Sequence, residues 1–346
     1  YSLNDTAHAY SMNGQFDRAK EVSIEASTMW RKMNNLPMLA DSIAGLAAIS
    51  VYLGEYDQAY EYSDQAYTIS QNINNIWGLS YSRYAIGLVD LERGDFGRAI
   101  ANFKQTIHDA KISKFRAGEV LSNTFLIVVY SEIGDHKKAL SIVEDQRTNI
   151  EENLIVTWAF SFGSEVYALA KAGEFDKALK IVKKFRMDIE GTYFIARYYF
   201  HLGRAYINLA SKDYQAAVDV AEEFLEFTSE IENFYLYPEL MLISGIAYMK
   251  MGLTKVAMEK FEEGIRVATK LESRKNLWLL KYYQGKQYKE NGDDELARES
   301  LKQAVENVQY ILDHIEDDDL KQFFRSRNDV QELKKFADEM ELKEIV

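Results

Sequence analysis

Hydrophobic positions along this chain recur in helical steps and are punctuated at a fixed interval. Glycines stand at Gly14, Gly54, Gly94, Gly134, Gly173, Gly252 and Gly292, with Lys212 filling the one place where the series lacks a glycine. Successive members lie 40, 40, 40, 39, 39, 40 and 40 residues apart. An alanine follows each by five residues, at Ala19, Ala59, Ala99, Ala139, Ala178, Ala217, Ala257 and Ala297. A period in this range marks stacked supersecondary units. Each glycine ends a helical stretch, where a left-handed residue is accommodated at little steric cost. Asp95, Asp135, Asp213 and Asp293 follow directly, with Thr254 nearby, placed to accept from the free amides of a next helix. Phe16, Tyr56, Phe96, Phe175 and Tyr214, two residues past the turn, are positioned to wedge against the preceding helix, while the alanine lets two backbones approach. The pattern predicts about eight helical hairpins over residues 1–315, with turns near 14, 54, 94, 134, 173, 212, 252 and 292.

A last hairpin would expose the apolar face that each earlier one buries on its successor, so the array needs a cap. Asp317 to Asp319 are suited to start a helix, and Leu320, Phe323 and Phe324 to cover the open end. Leu333, Phe336, Ala337 and Met340 continue an i, i+3, i+4, i+7 stripe. Residues 316–346 are therefore predicted to be capping helices.

Gly245, Tyr248 and Gly252, and again Gly285, Tyr288 and Gly292, place a small residue and an aromatic ahead of the turn. With the alanine of the second helix, these resemble the tetratricopeptide repeat. Ser50 and Asp90 replace the aromatic elsewhere, and the sixth hairpin reads as carrying a two-residue insertion between Gly203 and Lys212. The resemblance implies an all-α, right-handed superhelical solenoid that binds through its concave face. The unit is longer than the family's usual length of about 34 residues. Long units of this type are similar to the sensor regions of bacterial STAND signalling ATPases such as the maltose regulator, and to peptide-binding quorum-sensing regulators. The segment from Leu320 to Leu333 looks like one that closes such arrays. This resemblance implies a cytoplasmic sensor that binds a protein, a peptide or a small-molecule effector. A peptide receptor and a constitutive scaffold are the alternatives.

Composition narrows the chemistry. Only 2 prolines, Pro37 and Pro238, interrupt 346 residues of which 47% are hydrophobic, which favours long helices and a large core. A net charge of -13 without a basic run argues against nucleic acid as a direct partner. There is no cysteine, which excludes disulfides and thiolate chemistry and fits a reducing cytoplasm. No apolar stretch reaches the roughly 18 residues of a membrane span. The chain starts at Tyr1 inside a repeat, which predicts a piece of a longer polypeptide with an effector domain. His8, His108, His136, His201 and His314 show no ligand spacing, and no phosphate loop or nucleophile elbow occurs, so no metal, cofactor or catalytic residue is predicted.

The first helix of each hairpin should line the concave face. Projection from the turns places there Tyr52 in the second hairpin, Tyr81, Tyr84 and Leu88 in the third, Leu121 and Val128 in the fourth, and Phe160 and Tyr167 in the fifth. The sixth contributes Arg197, Phe200, Arg204 and Asn208, and the eighth Tyr282, Lys286 and Lys289. Basic residues beside aromatic ones could hold a peptide's carboxylate or carbonyls while the rings pack its side chains. In the competing reading, the same rings pack between neighbouring helices.

Overall fold

A computed structural model describes residues 2–149, 155–190, 194–230 and 234–342. Among these it contains eighteen α-helices and no strand. They pair in chain order as α1 (Ser2–Met12) with α2 (Phe16–Lys32), α3 (Leu36–Tyr52) with α4 (Tyr56–Asn72), α5 (Ile76–Arg93) with α6 (Phe96–Ser113), and α7 (Arg116–Ile133) with α8 (His136–Asn149). Then come α9 (Ile155–Lys171) with α10 (Phe175–Glu190), α11 (Tyr198–Ala210) with α12 (Tyr214–Glu230), α13 (Tyr237–Lys250) with α14 (Thr254–Leu271), and α15 (Arg274–Glu290) with α16 (Asp294–Asp313). Two further helices, α17 (Asp318–Arg325) and α18 (Asn328–Glu339), close the array. Each odd-numbered helix through α15 touches the next odd one, so these form the inner layer and the even ones the outer layer.

The turn chemistry explains the hairpins. All seven periodic glycines have positive φ, and Lys212 takes the same conformation at φ 63°. Asp95, Asp135 and Asp213 accept from the amides of Arg98, Lys138 and Ala216. Asp293 stands at the helix start without such a bond. All eight alanines are completely buried, which lets outer and inner backbones approach closely. The sixth hairpin differs from the sequence reading: α11 is continuous, and Ala205, seven residues before Lys212, takes the small buried position held elsewhere by Gly245 and Gly285. Gly203 serves another contact, backbone to backbone against Tyr167 of α9. No insertion is needed.

The second set of turns, from each outer helix to the next inner one, escaped the sequence reading. Asn34, Asn74, Lys114 and Glu272 adopt positive φ there. Because these are not glycines, the composition does not flag them, although asparagine tolerates this region better than most side chains.

The solenoid coils tightly enough to meet itself. The Tyr52 carbonyl accepts from the Phe234 amide at 3.0 Å, and the Gly97 amide donates to the His314 carbonyl at 3.0 Å. A side chain at Gly54 would strike Leu271 and Phe234, at Gly94 Ile311 and Arg274, and at Gly134 Arg327. Hairpins two and three thus abut hairpins seven and eight, and the cap lies against hairpin four where a ninth hairpin would fall. Phe324 of α17 is buried against Phe96 and Trp278, with ring centroids 6.1 and 6.3 Å away, whereas Phe323 remains 43% exposed. Helix α18 packs on α16 and α17 on α7, so this pair bridges the second turn of the coil and the first.

A buried chain of charges runs through this junction. The Lys275 ammonium lies 3.1 Å from Glu92 and 2.8 Å from Glu239. Glu239 accepts from Tyr206 at 2.8 Å and Tyr167 at 3.0 Å. Tyr167 also donates to Glu132, which pairs with Lys171 at 2.9 Å and Arg327 at 3.6 Å. Burial opposes the charge on Lys275, but Glu239 and Glu92 outweigh it and raise the lysine pKa. Burial also pushes Glu92 up to about 7, against the pull of Lys275. Glu132 goes the other way: despite burial, Lys171 and Arg327 hold it well below the carboxylate range.

Candidate functional site: a recess at the open edge of the superhelix

The tight coil fills the axis. Tyr52 is buried, stacked on Phe16 at 5.0 Å and edge-on to Tyr235 at 5.6 Å, and burial pushes its hydroxyl up to about 12. Tyr84 packs edge-on to Phe125 at 5.6 Å, and Tyr167 is enclosed between Glu132 and Glu239. Phe200 is fully buried in a satellite core with Val166 and Ile207. Arg204 lies over its ring, 5.9 Å from the centroid, and 3.5 Å from His201 Nδ1. Half-buried Arg197 immediately precedes α11, and Asn208 gives its carbonyl to the Asp213 amide. The Tyr282 hydroxyl donates to Glu332 of α18, and Lys286 reaches both. Tyr52, Tyr84, Tyr167, Phe200 and Tyr282 therefore pack within the protein interior. They do not line one open groove, because the second superhelical turn and the cap press inward.

Tyr81 is placed differently. It lines a recess of about 470 Å³ between the inner helices α1, α3, α5, α7 and α9, together with Leu121 and Phe160 of the projected inner face. Trp77 and Phe115 complete an aromatic wall: Trp77 is 5.4 Å from Tyr81 and 5.0 Å from Phe115, centroid to centroid. Sequence projection missed these two because they stand at the start of their inner helices, beside the second set of turns.

The geometry of coiling explains the opening. The turn edge at Gly54, Gly94 and Gly134 is covered by the opposite edge of the later hairpins. Pro37, Asn75 and Trp77, on the opposite edge of hairpins one to four, line the recess together with Phe160 of hairpin five. Met33, Ile76 and Ile112 rim this edge at 63%, 39% and 54% exposure.

One glycine distinguishes the recess. Gly87 and Gly245, also within inner helices, are filled by neighbours: an added Cβ would come within 2.7 Å of Phe103 and 2.4 Å of Phe261. At Gly45 the nearest atom is the Tyr81 hydroxyl oxygen, 4.0 Å off, so the helix surface opens onto free space.

Polar groups gather on the α1–α3 side. Asn4 donates to Asp41 and accepts from Ser42 at 2.8 Å and Trp30 Nε1 at 3.0 Å, which fixes its amide. Desolvation raises the Asp41 pKa, opposed by the Asn4 hydrogen bond and by His8. Desolvation lowers His8, against the pull of Asp41 and Asp5. Among the described residues no group of three histidine or acidic side chains is arranged to hold a metal, and no helix is long and apolar enough to cross a membrane. This set of groups offers shape, aromatic surface and hydrogen bonds, which suits binding.

By sequence, no family model and no curated protein matches the chain. By structure, it is similar to a Rap protein complexed with competence and sporulation factor, with a TM-score of 0.60, 14% identity and 98% of both chains covered. The architecture is an all-α superhelical solenoid of tetratricopeptide-like hairpins. Weaker likenesses are to the Cut9–Hcn1 hetero-tetramer of the APC/C (TM-score 0.38, 13% identity, 97% of this chain and 89% of that one) and to yeast Tom70 (TM-score 0.27, 12% identity, 99% and 95%).

Proposed function

We propose that this solenoid is a recognition module that takes a short peptide, free or as the end of a partner protein, into the recess at its open edge. The observation that carries the reading is the empty surface at Gly45, where an inner helix forgoes a side chain although nothing fills its place. Its volume lies in the range of about 300–1,000 Å³ usual for ligand pockets. The Rap protein of like fold is a complex with competence and sporulation factor, and a bound factor is what this reading transfers here. Of the residues projected from sequence, Tyr81, Leu121 and Phe160 line this site. Arg197, Arg204, Asn208 and Lys286 would act on ligand only at a second position.

Sensing follows if binding changes the coil. Helices α5 and α7 touch both the recess and the buried charge chain that locks the cap, so a ligand wedged between α3, α5 and α7 would strain the lock. In a longer cytoplasmic chain, as in the STAND sensors, that strain would reach an effector domain. The test is selection of displayed random pentapeptides on the wild-type chain, followed by binding to Gly45→Phe. Peptides that bind wild type with a saturable constant and fail on the filled variant support the site. Equal binding to both refutes it.

A further inference from the structure

The recess is lopsided in charge as well as in shape, and this bears on which peptide fits, given the reading above. Its aromatic side is Trp77, Tyr81 and Phe115; its other side carries Asp5 and Asp41 around His8. Several enclosed carboxylates elsewhere are matched by cations: Glu92 and Glu239 by Lys275, Glu132 by Lys171 and Arg327, Glu165 by Arg147. Among the described residues, Asp5 and Asp41 have no lysine or arginine partner. Asp41 instead takes a hydrogen bond from the neutral Asn4 amide, which is itself held by Trp30 and Ser42. A carboxylate fixed this way, lining an apolar cavity on a chain of net charge -13, offers an ion-pairing site that no lysine or arginine among the described residues uses.

We propose that the recess selects a cationic, apolar peptide, seating an ammonium or guanidinium group between Asp5 and Asp41 and a neighbouring apolar side chain against Trp77 and Phe115. The cation could be a lysine or arginine side chain or the peptide's own amino terminus; both present the same chemistry to the carboxylates. An acidic peptide would meet like charge in a partly desolvated space and be excluded.

The experiment uses pools of acetylated, amidated pentapeptides, random except at one central position fixed as lysine, arginine, glutamine or glutamate. A fifth pool has central glutamine and a free amino terminus. Binding to the full chain is followed by calorimetry and by tryptophan fluorescence. Lysine and arginine pools should bind at least tenfold more tightly than the glutamine pool, and the glutamate pool most weakly. In Asp41→Asn the lysine preference should fall to about twofold while glutamine-pool binding is unchanged, and Asp5→Asn, at an exposed position, should shift it in the same direction. Recovery of affinity by the free-amine pool would identify the terminus as the preferred source of charge. If all pools bind equally and Gly45→Phe abolishes binding, charge selection is wrong while the recess stands. If no pool binds at millimolar concentration, both readings fall.

Discussion

Replacing Gly45 by alanine should stabilise this protein, which is unusual for a change inside a buried helical layer. Glycine within a helix costs about 1 kcal/mol relative to alanine, through backbone entropy. That gain is normally cancelled in a core by overpacking. Here the new methyl would meet nothing closer than the Tyr81 hydroxyl oxygen at 4.0 Å, an ordinary contact distance, so most of the gain, about 0.5–1 kcal/mol, should survive. Gly87→Ala is the matched control: its methyl would sit 2.7 Å from the ring of Phe103, a fully buried side chain. Relieving that overlap should cost about 1–3 kcal/mol, more than the helix gain returns. Urea unfolding followed by far-ultraviolet circular dichroism measures both, read as a shift of midpoint at constant slope. Opposite signs are expected. If Gly45→Ala lost stability as Gly87→Ala does, the space beside α3 would be occupied and the argument for the recess would fail.

Four further outcomes are expected. Lys275→Met leaves Glu92 and Glu239 buried without their cation and should cost about 3–5 kcal/mol; adding Glu92→Gln and Glu239→Gln should recover part of the loss in the same urea assay. For pH, Glu92 is held at about 7 against an ordinary 4.5, so the folded state keeps a proton that the unfolded chain releases. Its contribution is complete below about pH 4.5 and lost as pH rises through 7, about 3 kcal/mol in all, and Glu92→Gln should flatten that stretch of the stability–pH curve. Lys212→Gly removes a side chain from a left-handed residue and should raise stability by about 1 kcal/mol, seen as a higher unfolding midpoint. Arg327→Ala should speed amide hydrogen exchange in the last turn of α7 as well as in α18; protection lost from α18 alone would mean the cap is not a lock.

The sequence made the hairpins legible because their signals are local. The Gly94 turn, the Asp95 cap and the closely packed Ala99 all act within one hairpin, so spacing alone reveals them. The inner face could be projected for the same reason: Tyr52, Tyr81 and Tyr84 do stand on inner helices. Which of these stays open was not legible, because it depends on how far the solenoid rotates per hairpin, a sum over many small packing choices. That rotation brings the Phe234 backbone onto Tyr52 and encloses it, yet leaves Tyr81 at the recess. Asp41, Trp77 and Phe115 drew no reading from sequence for want of the same information.

The contact of hairpins two, three and four with the units five places later also alters what kind of polymer this is. In an open solenoid each unit answers only to its neighbours, so the ends fray independently and units are gained or lost with little penalty. Here Glu92 and Ser273, 181 positions apart, share a hydrogen bond, and Glu132 and Arg327, 195 apart, share another. Such closure ties distant segments into one cooperative unfolding unit and places a slow, long-loop step late in folding. It also makes length a conserved quantity: inserting or deleting one hairpin would shift every later unit by one place and set the wrong residues opposite Glu92 and Glu132.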